Sequence, residues 1–135
     1  MLTDILMGTK LEHAVRNNEL SKLLYEEGVY YDWCVTTCFY SAIQYFHVVL
    51  IPGNYNGTEC KSLEQATAAM NLKDKTKHHV TETLVKVKVP ALLQEYRWLK
   101  DSSFNARYND YEVHPQNAKL ARKYLKKISE YCDPK

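Results

Sequence analysis

Between Val35 and Val49 the apolar positions advance in steps of three and four. Val35, Cys38, Phe39, Ala42, Tyr45, Phe46 and Val49 therefore form one stripe on a helix of several turns. Asp32 is its expected N-cap, and Pro52-Gly53-Asn54 ends it. Leu11, Ala14, Val15, Leu20, Leu23 and Leu24 approximate the same spacing and predict an earlier helix from about Leu11 to Glu27, closed by Gly28. Ile51 to Lys61 is loop-like, with Gly53, Asn54, Asn56 and Gly57 clustered, and Ser62-Leu63-Glu64-Gln65 opens a short helix toward Met70. From Lys73 to Val89 the residues His78, His79, Val80, Leu84, Val85 and Val87 permit a helix, while the alternation Val85-Lys86-Val87-Lys88-Val89 also fits a strand. A lone strand has no partner for its edges, so helix is expected here.

Pro90 suits the first turn of the next helix, whose stripe Leu92, Tyr96, Leu99, Ser103 and Ala106 narrows to small residues that let another helix approach. A last helix follows Pro115, with Ala118, Ala121, Tyr124, Leu125, Ile128 and Cys132 on one side and Lys119, Arg122, Lys123, Lys126 and Lys127 elsewhere. No repeat or linker interrupts the pattern. The expected fold class is all-α, an up-and-down bundle of four to five helices, in a single domain over residues 1–135 with its core at about 11–131.

Composition adds bounds. Among 135 residues, 45% are hydrophobic and 25% charged, as in soluble globular proteins. The longest apolar stretch, Trp33 to Ile51, is broken by Thr36, Thr37, Ser41, Gln44 and His47, so it reads as a buried helix and no membrane association is expected. No export signal is visible near Met1. Cys34, Cys38, Cys60 and Cys132 do not resemble a secreted disulfide framework, and a reducing cytoplasm is the expected setting. Residues 1–64 carry eight acids and four bases, a balance of −4, whereas residues 65–135 carry eight acids and fourteen bases, a balance of +6. The second half is the expected anion-facing side.

Candidate chemistry concentrates between the last two helices. Arg107 offers a permanent planar cation able to hold a phosphate through two parallel hydrogen bonds. His114, held at a helix boundary by Pro115, offers a group that exchanges protons near neutral pH. The same residues have a structural reading: an Arg near a helix C-terminus interacts with the dipole, a His before Pro can serve as a cap, and Asp110 or Glu112 can neutralise Arg107. The expected substrate contacts are Tyr108, Asn109, Tyr111 and Lys119, since tyrosine rings can stack on bases and lysines can track phosphates. Metal and cofactor sites are not expected. His78 and His79 diverge by about 100° on a helix, and Cys34, Cys38 and His47 fit a core face better than a tetrahedral set.

The ordered segments Asp32-Trp33, Cys38-Phe39-Tyr40-Ser41-Ala42, Tyr96-Arg97-Trp98-Leu99 and Ser102 to Tyr108 resemble those of HEPN domains, over roughly Leu11 to Tyr131. The resemblance implies a HEPN-like bundle of four to five helices and a homodimer. It also implies, for many members, a metal-independent endoribonuclease whose Arg and His are separated by four to six intervening residues and pair across two protomers. Arg107 and His114, with six between them, occupy those positions. Tyr108 departs from the Asn, Asp or His that often follows the Arg, which bears on catalysis more than on fold. Two functions stay open: a ribonuclease acting on RNA as a toxin or defence effector, with a partner such as an antitoxin, or a non-catalytic module binding a nucleotide or a protein partner.

Overall fold

The computed structural model describes residues 2–109 and 113–133, with side chains described from Lys10 onward. Helix α1 spans Leu2–Glu27, so it begins about nine residues before the predicted start. Gly28 then takes φ 75°, a left-handed conformation open to a residue without Cβ, and its N–H closes on the Leu24 carbonyl at 3.2 Å. Helix α2, Tyr31–Leu50, returns antiparallel: Ser41 Oγ donates to the Ala14 carbonyl at 2.6 Å, and Cys34 Sγ donates to the Ser21 carbonyl at 3.3 Å. Small side chains at Ala14 and Ser21 allow this close approach. Leu20 and Leu23, expected on the buried stripe, are instead exposed.

Helix α2 is the centre of the molecule. Its predicted stripe is buried except at Val49, and the two buried threonines of its first turns are satisfied locally. Thr36 and Thr37 donate to the Asp32 and Trp33 carbonyls at 2.9 and 2.8 Å, so their burial leaves no hydroxyl unpaired. Asp32 is not the N-cap. Tyr30 occupies that position without a side-chain bond, and Asp32 lies in the first turn, where a carboxylate still complements the helix dipole.

The predicted Ile51–Lys61 loop is a small hairpin, β1 (Gly53–Tyr55) paired antiparallel with β2 (Thr58–Cys60). Asn56 and Gly57, at φ 53° and 82°, make the left-handed turn that matches strand twist. Tyr55 points inward and donates to the Leu50 carbonyl at 2.7 Å, tying the hairpin to the end of α2. Ser62 then caps α3 (Leu63–Ala69), accepting from Gln65 N at 3.2 Å. Asp74 receives the N–H and hydroxyl of Thr76, a local turn that separates α3 from α4 (Lys77–Lys88). Val80, Thr81, Leu84 and Val85 are buried, a helical rather than alternating pattern, which decides the ambiguous segment.

A 3₁₀ turn at Pro90–Leu92 leads into α5 (Leu93–Phe104), which widens into a π-helical turn at Asn105–Asn109; α6 runs from Pro115 to Cys132. Tyr96 fills the centre, its ring 5.7 Å from those of Phe39 and Phe46, and its hydroxyl donates to the His78 carbonyl at 2.8 Å. Ala118 and Ala121 bring α6 close to the core, with Leu125 and Ile128 packed beside them. Each such fully buried Leu or Ile stabilises the fold by about 1.5–3 kcal/mol. Helices α1, α2, α5 and α6 form the bundle. With α3 and α4, the described residues hold six α-helices against the four to five expected.

Candidate functional site

The π-helical turn places Arg107 against α2. Its Nε donates to the Ser103 carbonyl at 3.3 Å, and Nη1 donates to the Tyr40 hydroxyl at 2.9 Å. The guanidinium carbon lies 5.6 Å from the Tyr40 ring centroid and 5.0 Å from that of Tyr108, so two aromatic faces flank the cation. Phe104 extends the group, with its ring 5.0 Å from Tyr108. Both described hydrogen-bond partners are neutral oxygens. Of the five N–H donors of an arginine, these bonds use two, and the others have no acceptor among the described residues. Asp110 and Glu112, the acids expected to compete for Arg107, and Tyr111, an expected substrate contact, lie outside the described residues.

His114 is the N-cap of α6. Its backbone is extended, at φ −66° and ψ 140°, as the following Pro115 requires, and Nδ1 accepts from Gln116 N at 3.1 Å. An accepting Nδ1 has no proton, so the neutral ring carries its proton on Nε2, at an exposed position. This is the capping role open from sequence, and it leaves one nitrogen available.

The remaining predicted contacts separate into two clefts. Asn109, bonded across the π turn to Asn105 Oδ1 at 2.9 Å, lines a cleft of about 370 Å³ with Asn105, Val113 and Asn117. Lys119 lines a larger cleft of about 710 Å³ along α6, with Asn117, Lys123 and Lys126, and no carboxylate borders it among the described residues. Asn117 belongs to both. Tyr108 is exposed beside Arg107. Neither Arg107 nor His114 lines either cleft.

A family model for the HEPN domain matches residues 9–134. The chain belongs to the HEPN domain family. No curated protein and no solved structure matches it. Within this HEPN domain, Tyr40 is the site residue that sequence reasoning missed. The available signal was spacing: Tyr40 follows Trp33 by seven residues, on the face of α2 opposite the buried stripe, where an aromatic ring has no core to fill. The Arg122 guanidinium is committed to structure, with Nη1 donating to Asn18 Oδ1 at 2.6 Å and to Ser21 Oγ at 2.8 Å. Among the described residues, no three His, Cys, Asp or Glu side chains are grouped to hold a metal ion, and no helix is long and apolar enough to cross a membrane.

Proposed function

We propose that this HEPN domain is an RNA-binding module in which Arg107 takes a backbone phosphate, the exposed rings around it stack on bases, and the lysines of α6 follow the strand. The observation that carries this reading is the mounting of Arg107: it is held from behind by Tyr40 and Ser103, both neutral, and no acid pairs with it and no acceptor takes its remaining donors among the described residues. Phe104 and Tyr108 stand beside it, more than half exposed at 51% and 60%. A fixed fork for phosphate beside free π faces suits single-stranded RNA. Lys119, Lys123 and Lys126, in a cleft that no acid among the described residues borders, supply sequence-independent attraction.

The test is fluorescence anisotropy with a labelled single-stranded RNA across a salt series. A charge-assisted hydrogen bond contributes about 1.5–3 kcal/mol, so Arg107→Ala is expected to weaken binding by roughly 10- to 100-fold. Lys119→Gln is expected to reduce the salt slope by about one. Unchanged affinity in Arg107→Ala would reject the reading.

A second reading, a metal-independent endoribonuclease, is favoured by Nε2 of His114, which has no partner among the described residues. In it His114 assists removal of the 2′-hydroxyl proton or protonation of the leaving 5′-oxygen, while Arg107 stabilises charge on phosphorus. The 2′-oxygen bonds to phosphorus, the bond to the 5′-oxygen breaks, and the ends are a 2′,3′-cyclic phosphate and a 5′-hydroxyl. Either proton transfer needs Nδ1 protonated, which releases the bond from Gln116 N. That requirement ranks the reading second. Two copies would pair through the exposed face bearing Trp33, Tyr40, Phe104 and Tyr108, bringing one protomer's Arg107 toward its partner's site. Incubation with RNA in chelator decides between the readings: cyclic-phosphate ends lost in His114→Ala support catalysis, and intact RNA supports the module.

A further inference from the structure

A separate cavity of about 660 Å³ opens where α1, the end of α2, α3 and α4 meet. It shares no lining residue with the two clefts beside the Arg107 and His114 segment. Its volume falls in the range of small-molecule sites.

Among the described residues four lysines border it, Lys10, Lys61, Lys75 and Lys77, against one acid, Glu64. None of the four forms an ion pair among the described residues; nearby Asp74 is occupied by Thr76 and His79. Leu63, Leu72 and Val80 supply an apolar wall.

The cavity also contains a polar group that is itself core. His47 lines it while only 4% exposed. His47 Nε2 lies 2.9 Å from Thr81 Oγ1, and the single hydroxyl hydrogen of Thr81 goes to the Lys77 carbonyl at 2.7 Å. A carbonyl can only accept, so Thr81 must accept from His47, and the imidazole proton sits on Nε2. Nδ1 is then a lone-pair acceptor with no partner among the described residues. Burial, and after it the ammonium groups of Lys77 and Lys10, push this imidazole down to about 3, which keeps it neutral; Lys10 and Lys77 line the same cavity as His47.

These features specify a ligand. Four ammonium groups against one carboxylate exceed what a single carboxylate ligand would balance, whereas a phosphate monoester carries about −1.5 to −2 at neutral pH. The neutral Nδ1 asks for a hydroxyl or amino donor, and the leucines ask for a carbon body. We propose that this cavity binds a small organic phosphate, its phosphoryl group held by Lys10 and Lys77 and a donor on its body bonded to His47 Nδ1.

The test is calorimetric titration of the full chain at physiological salt with three probes: inorganic phosphate, glycerol 3-phosphate and adenosine monophosphate. At least one organic phosphate is expected to bind at least tenfold more tightly than inorganic phosphate. The Lys10→Gln/Lys77→Gln double variant, altered only at exposed positions, is expected to lose at least tenfold in that affinity. Arg107→Ala is expected to keep it. Absence of binding by both organic phosphates, equal affinity for inorganic phosphate, insensitivity to the lysine pair, or equal loss in Arg107→Ala would each overturn the proposal. Because Arg107→Ala reports on the RNA site alone, failure of one reading leaves the other distinguishable.

Discussion

Acid is expected to destabilise this protein through His47 before its carboxylates contribute. The imidazole is 4% exposed and sits in the folded chain with its pKa pushed down to about 3, from an ordinary value of 6.5, by burial and by the nearby Lys77 and Lys10. Between those values the unfolded chain takes up a proton that the folded chain refuses. The stability conferred by the neutral ring is therefore complete above pH 6.5 and is lost as pH falls toward 3. One group in this regime changes stability by about 1.4 kcal/mol per pH unit. Moving from pH 7.5 to pH 4.5 should cost roughly 2.7 kcal/mol from this side chain alone. His47→Gln cannot titrate but retains an N–H for Thr81, so it isolates the effect. Glu82, whose burial is outweighed by hydrogen bonds from Lys100 and Arg97, and Asp74, bonded by Thr76, are also held low; they are common to both proteins and cancel. Urea unfolding at the two pH values should show the wild type losing about 2–3 kcal/mol more than His47→Gln. Equal losses would mean that the folded protein admits the proton, and would refute the buried neutral imidazole.

Two further outcomes concern the core. Arg122→Leu should cost about 2–3 kcal/mol in denaturant unfolding, because it strips a charged donor from Asn18 and Ser21, which are left facing an apolar chain; a loss under about 0.5 kcal/mol would place that guanidinium in solvent rather than in the fold. All four cysteines are buried, and burial pushes the Cys132 thiol up to about 12. A thiol-reactive chromophore should label none of them rapidly in the native protein and all four in urea, and fast native labelling would contradict the packing of α2 and α6.

The bundle was legible where a stripe is long and its ends are marked. The α2 and α6 stripes, Ser62 as a cap and Pro90 and Pro115 at helix starts all stand where spacing placed them, because each reports a local preference. Local rules failed where a partner decides. Leu20 and Leu23 lost the buried face of α1 to Ala14 and Ser21 because helix contact there is close, a property of α2 rather than of α1. The Asn56-Gly57 pair was a hairpin signal obscured by the surrounding loop-like composition. The segment carrying Arg107 and His114 was visible as chemistry, but the hold of Tyr40 on Arg107 joins positions 67 residues apart, and the lysine cavity draws on four helices. Contacts of that range leave no periodic trace.

The π-helical turn at Asn105–Asn109 holds one more residue than an α-helical turn would need. Removing a single residue there would restore an α-helix and rotate the residues that follow within that same helix by about 100°. Arg107 would swing off Tyr40 while the core positions before it, Tyr96, Leu99 and Ser103, stayed in place. The turn thus acts as an index: one codon of length variation would re-aim the cation while the α5 core positions before it keep their place, so what this edge presents is set by chain length as much as by residue type.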